Sequence, residues 1–139
     1  PIVRHKYLED IGLPLEDIEH NWCPLDERRG RWLEFKAKYG FDERETWSLD
    51  STLKRMLYER LCAFKDIASE AIVIDATGGV YQFGKREMSL EDCLNEMIEG
   101  LKLDLTLDDY APERKTKAVK KKIDNIFPIL KVCLNGLWW

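Results

Sequence analysis

A chain of 139 residues, 45% hydrophobic and 35% charged, has the size and balance of one globular domain spanning 1–139 and not of a disordered segment. Its net charge of −4 argues against a dedicated DNA binder, because phosphate neutralisation supplies most of such affinity. No apolar run approaches the roughly 18 residues that cross a bilayer, and Pro1-Ile2-Val3-Arg4-His5-Lys6 lacks a secretory apolar core, so no membrane association and a cytoplasmic protein are expected.

An initial proline is what remains when Met is removed from Met-Pro, which agrees with that setting. Gly12-Leu13-Pro14 marks a turn, and Pro14 to Ile18 can open a short helix. A helix is expected from Pro24 to Tyr39, with Leu25, Trp32, Phe35 and Tyr39 on one face and Gly40 closing it. Thr46-Trp47-Ser48-Leu49-Asp50 then starts the helix taken as the centre of the core, running to Ala68. Leu49, Leu53, Met56, Leu57, Leu61 and Phe64 share its apolar face. Ser48 suits the N-cap, Asp50 suits the first turn, and Trp47 is expected to fold back onto the apolar face.

The pattern then changes. Ala71 to Asp75 and Val80 to Phe83 read as two strands of a β-hairpin, joined by the turn Ala76-Thr77-Gly78-Gly79. Ser89-Leu90-Glu91-Asp92 opens another helix in capping-box fashion, with a stripe of Leu90, Leu94, Met97, Ile98 and Leu101. Residues 103–111 are acidic and expected to be irregular. Pro112 starts a long last helix carrying Val119, Ile123, Ile126, Phe127, Leu130 and Leu134, with Ile129 at the margin and a kink or break at Pro128. The fold class is therefore mainly α: a single-domain bundle of about four helices with one small β-hairpin. Cys23, Cys62, Cys93 and Cys133 form no C-x-x-C pair and are expected to be reduced thiols in or near the core.

The run Gly40-Phe41-Asp42 to Glu45-Thr46-Trp47-Ser48-Leu49-Asp50, then Leu57, Arg60-Leu61 and Phe64-Lys65, and the closing Asn135-Gly136-Leu137-Trp138-Trp139 together cover about half the chain. In these stretches the chain resembles a family of small bacteriophage and prophage proteins. There a Trp-Asn/Ser-Leu-Asp element begins a helix and a Leu-Trp pair closes the chain. Tyr58-Glu59 stands where that pattern has a proline before Arg-Leu. The resemblance implies a phage setting, in the cytoplasm of a host bacterium, and small phage proteins often bind and disable a host component. It carries no catalytic residues.

The residues themselves point away from catalysis. Only His5 and His20 are present, and no nucleophile-elbow, phosphate-loop, zinc-protease or dinucleotide signature occurs. No cofactor is expected. His20 with Cys23 makes at most half a zinc site. Thr77-Gly78-Gly79 is read as a plain turn over a phosphate cradle, and Asp42, Glu43 and Glu45 as a solvated loop over a cation site.

Two basic clusters carry more. Arg28, Arg29 and Arg31 surround Trp32, pairing forked donors with a ring on which a base can stack. Arg114, Lys115, Lys117, Lys120, Lys121 and Lys122 lie on the last helix, where residues 104–139 hold 7 basic and 5 acidic groups. The bland reading of both clusters is a charged outer face. The candidate ligand-binding set is Arg28, Arg31, Trp32, Lys117, Lys120 and Lys121, facing a small anionic nucleotide. Trp138 and Trp139 either close the core or form an interface with a partner or a second copy. The functional expectation is a non-enzymatic phage protein that counters host defence by sequestering a nucleotide signal. The alternative is an inhibitor or adaptor that binds a host protein.

Overall fold

The computed structural model describes residues 4–19, 23–70 and 80–137. Among them the chain is mainly α-helical, with one two-stranded antiparallel sheet. In chain order the elements are α1 (Lys6–Asp10), α2 (Leu15–Glu19), α3 (Arg29–Tyr39), α4 (Arg44–Trp47), α5 (Leu49–Glu70), β1 (Val80–Phe83), β2 (Arg86–Ser89), α6 (Leu90–Leu105), α7 (Glu113–Asp124) and α8 (Ile126–Cys133), closed by a 3-10 turn at Leu134–Gly136.

The core centres on α6 and not on α5. Leu90, Cys93, Leu94, Met97 and Leu101 are fully buried, and α5, α7, α8 and the hairpin all pack against this helix. Its start is the expected capping box: the Asp92 amide donates to Ser89 Oγ at 3.1 Å, and the Ser89 amide donates to Asp92 Oδ2 at 3.1 Å. This box satisfies two of the amides that a helix start leaves without partners. Helix α6 runs to Leu105, into the stretch expected to be irregular, and Asp104 there pairs with Lys54 at 2.9 Å.

Helix α5 contributes Tyr58, Leu61 and Ala68 to the core, with Leu57 and Phe64 half-buried. Leu49, Leu53 and Met56 remain exposed, and Trp47 is 44% exposed. The expected role of Trp47 as a core residue is thus corrected. Lys54 in the first two turns of α5 reaches Asp104 of α6, but no neighbour among the described residues encloses Leu49, Leu53 and Met56 beside it. Ser48 lies between the two helices, its carbonyl accepting from the Thr52 amide at 3.0 Å, and the Thr52 hydroxyl donates back to the Glu45 carbonyl at 2.9 Å. Helix α1 is held on α5 by buried Leu8 and by the Tyr7 hydroxyl, which donates to Asp66 at 2.8 Å.

Among the described residues the hairpin is a second one, beyond that read from the sequence. Val80–Phe83 is a strand, but its partner is Arg86–Ser89, with Tyr81 opposite Met88. The two-residue connection places Gly84 at φ 62, a conformation open to glycine, which makes so short a turn feasible. Residues 71–79, including the other expected strand and Thr77-Gly78-Gly79, lie outside the described residues.

Two helix boundaries also move. Helix α3 starts at Arg29 and not at Pro24, because Asp26 takes the Arg28 amide on its own carboxylate at 2.8 Å and so favours a turn. Leu25 is consequently exposed and does not join Trp32 on a common face. Gly40 ends α3 as expected, at φ 85 with its amide on the Lys36 carbonyl. The last helix breaks at Asn125 and not at Pro128. Pro128 falls in the first turn of α8, where an amide has no helical partner to lose. Val119, Ile126 and Ile129 are buried, whereas Phe127 and Leu134 point outward.

All four cysteines are free, with Cys93 and Cys133 buried side by side. Burial, reinforced by Cys133, pushes the Cys93 thiol up to about 12, so it stays neutral and inert. No helix among the described residues is long and apolar enough to cross a membrane.

One close approach locks the C-terminal turn to the sheet. A Cβ on Gly136 would overlap the Tyr81 hydroxyl. Gly136→Ala is therefore expected to lose about 1–3 kcal/mol, as overpacked sites do, and Tyr81→Phe should recover part of it. Gly30, in a helix with open space around it, should instead gain up to about 1 kcal/mol on Gly30→Ala. Urea denaturation of the three variants checks both signs.

Candidate functional site

The first expected site is a corner built from α3 and residues 41–47. Trp32 sits at its centre and is only 1% exposed. Its indole N–H donates to Glu43 Oε2 at 3.0 Å. The Arg28 guanidinium lies 4.9 Å and the Arg44 guanidinium 5.0 Å from the Trp32 ring, and Trp47 meets it edge-on with centroids 5.2 Å apart. A base cannot stack on a ring already covered on these sides, so Trp32 does not offer the open platform expected of it.

The arginines of this corner are engaged as well. Arg28 donates to Asp26 at 3.1 and 3.0 Å, and Arg31 donates to Glu43 at 3.1 Å. These bonds hold the Asp26 carboxyl down at about 2, and the Trp32 and Arg31 donors hold Glu43 below the usual carboxylate range. Beside them a hollow of about 300 Å³ opens between Arg31, Trp32, Phe35, Phe41 and Glu43.

The acidic loop is not the solvated segment expected. Asp42 and Arg44 are each 1% exposed. Asp42 accepts from the Arg44 amide at 2.9 Å and from its guanidinium at 3.0 and 2.8 Å. Burial pushes the Asp42 carboxyl up, but these three bonds outweigh it and leave the carboxyl below its ordinary value. Glu45 accepts the Asp42 amide at 2.9 Å. Every carboxylate of the loop thus has a protein donor, and no group of three or more potential metal ligands occurs among the described residues.

The second expected site lies on α7. Lys117 pairs with Glu113 at 2.9 Å and Lys120 with Asp124 at 3.0 Å, each within the helix and exposed. Lys121 points elsewhere. With Lys122 it lines a groove of about 870 Å³ whose other cations are Lys65 and Arg86. This groove shares no lining residue with the Trp32 hollow, so the two basic clusters do not meet at one place. Trp138 and Trp139 lie outside the described residues, as does His20.

Sequence reasoning missed the groove because α5, β2, α6, α7 and α8 each supply only one to four of its residues. It also missed the aromatic face beside the hollow. There Phe35 packs on Tyr39 at 4.5 Å and on Phe41 at 5.5 Å between ring centroids, yet all three remain 42–55% exposed. The signal available was the aromatic spacing itself, but burial cannot be read from spacing alone.

The buried Asp42–Arg44 pair yields a stability expectation. Asp42→Ala leaves a buried guanidinium without its carboxylate and should cost about 3–5 kcal/mol in urea denaturation. Because the folded-state pKa of Asp42 is lowered, its contribution is present above the unfolded value of 3.8 and is lost as pH falls through the folded value. The Arg44 Nε–H resonance, whose proton is donated to Asp42 Oδ1, should report this as an acid transition below about pH 4 that Asp42→Asn removes.

Compared with known proteins, the chain matches no family model, no curated protein and no solved structure.

Proposed function

We propose that this chain is a non-enzymatic binding protein that engages a host protein during phage infection, as an inhibitor or adaptor, through the aromatic face of α3 and the corner that follows it. The phage setting comes from the resemblance of its middle and C-terminal stretches. The observation that supports protein binding is the contiguous cluster of Phe35, Tyr39 and Phe41, two of which line a hollow, with half-exposed Trp47 packed on Trp32 of the same corner. Large aromatics that keep half their surface in water favour a partner, because covering the exposed half of each contributes roughly 1 kcal/mol, about half the value of full burial. Aromatic residues and arginine are also the residues most often found at binding hot spots. Arg31 at the rim supplies a donor beside them.

Sequestration of a nucleotide at the Arg28, Arg31 and Trp32 corner is less well supported. It would have to displace Asp26 and Glu43 from the arginines and uncover a buried indole, each at a cost that phosphate contacts must offset.

A photo-crosslinking residue in place of Tyr39 should capture one discrete polypeptide from a bacterial host lysate. The same residue in place of Tyr110, an equally large but isolated exposed aromatic, should not. Phe35→Ala with Phe41→Ala should remove the adduct. Equal labelling from both positions, or none from Tyr39, would defeat this reading.

A further inference from the structure

The large groove carries an inference independent of the α3 face. It runs between α6 and the α7–α8 pair, and its lining positions on the latter are Ala118, Lys121, Lys122, Asn125 and Ile129. These steps of three and four residues follow one helix side for about two turns, roughly 10 Å of rise from Ala118 to Asn125. Half-buried Ile98, exposed Ala118 and the methylene stems of the lining lysines give the groove apolar surface, and Ile129 lies buried beneath them.

Its charge is organised around that surface. On one side Lys65 donates to Asn95 at 2.5 Å, and Arg86 is paired with Glu96. On the other side Lys121 and Lys122 project from α7 with no carboxylate partner among the described residues, unlike Lys117 and Lys120 on the same helix. Four cations against Glu96 and Glu99 leave the lining with a balance of +2, in a chain whose total is −4.

We propose that this groove is a docking site for an acidic amphipathic helix of a partner protein, with apolar side chains seated on Ile98 and Ala118 and flanking carboxylates met by Lys121 and Lys122. A helix laid in a groove buries residues at i, i+3, i+4 and i+7, a span of about two turns that matches the length of the groove along α7 from Ala118 to Asn125. A nucleotide fits the lining less well. Among the described residues no aromatic lines the groove to stack on a base, and Glu96 and Glu99 would face its phosphates. The mixed walls suit a peptide, which meets lysines with carboxylates and Asn95 or Asn125 with other polar groups.

The test is a selection from a displayed library of helical peptides on the full chain, with counter-selection on the Lys121→Glu, Lys122→Glu double variant. The enriched sequences should carry apolar residues at i, i+3 or i+4, and i+7, flanked by Asp or Glu. A fluorescein-labelled winner should bind at least about tenfold more weakly to the double variant, a loss of about 1.4 kcal/mol, and similarly to Ala118→Trp, whose ring fills the apolar floor. Binding should weaken as salt rises. Thermal melting of both variants should match that of the unaltered chain, and Phe35→Ala with Phe41→Ala should leave peptide binding intact. Enrichment without acidic bias, no enrichment, or winners indifferent to both groove variants would overturn the proposal. So would a panel of nucleoside mono- and triphosphates of which one binds with the same dependence on Lys121 and Lys122, since the occupant would then be a small anion.

Discussion

Burial of α6 is the constraint on which the rest of the structure depends. Leu90, Leu94, Met97 and Leu101, with Cys93 between them, are enclosed on nearly every side. Each such side chain contributes roughly 1.5–3 kcal/mol when removed from water. That contribution needs several partners, because a single neighbouring helix covers only one stripe. Helix α5 supplies one wall, α7 and α8 another, and the hairpin with Met88 a third. Gly100 lets Ile126 and the Lys122 carbonyl approach α6 closely, so the cationic α7 is drawn in against the core despite its charge.

That close packing explains why α7 can carry six cations on twelve residues. Only Val119 is fully buried on it, and most of its remaining surface faces water, where like charges repel weakly across high dielectric. Two of its lysines are matched by carboxylates one turn away. Of the four others, Lys121 and Lys122 line the groove. A charge that finds no partner along its own helix but stands over an apolar floor is the feature that separates this groove from ordinary solvated surface.

The α3 corner follows a different logic. Its stability is local: a buried carboxylate–guanidinium pair two residues apart, an indole hydrogen bond and five rings in two contacting groups. Arg28 and Arg31, which the sequence offers as anion donors, are spent on Asp26 and Glu43 within the same corner. The consequence is a small satellite of polar and aromatic contacts beside the main core, with its unspent apolar surface turned to solvent.

Sequence by itself determined what depends on neighbours along the chain. The helical class, the Ser89–Asp92 capping box, the glycine at the end of α3, the strand at Val80–Phe83 and the four free thiols are local or compositional properties, set within a turn or two of backbone. It could not determine which apolar stripe is covered. Leu49, Leu53 and Met56 have the same spacing as Leu90, Leu94 and Met97, yet only the second set meets neighbours on all sides. Nor could it say that Arg28 and Arg31 are neutralised while Lys121 and Lys122 are not, because the carboxylate that holds Arg31 comes from a later turn of chain. Tertiary structure decided these points, since burial and ion pairing depend on which distant segments arrive at a surface, and periodicity shows only which face is ready to receive them.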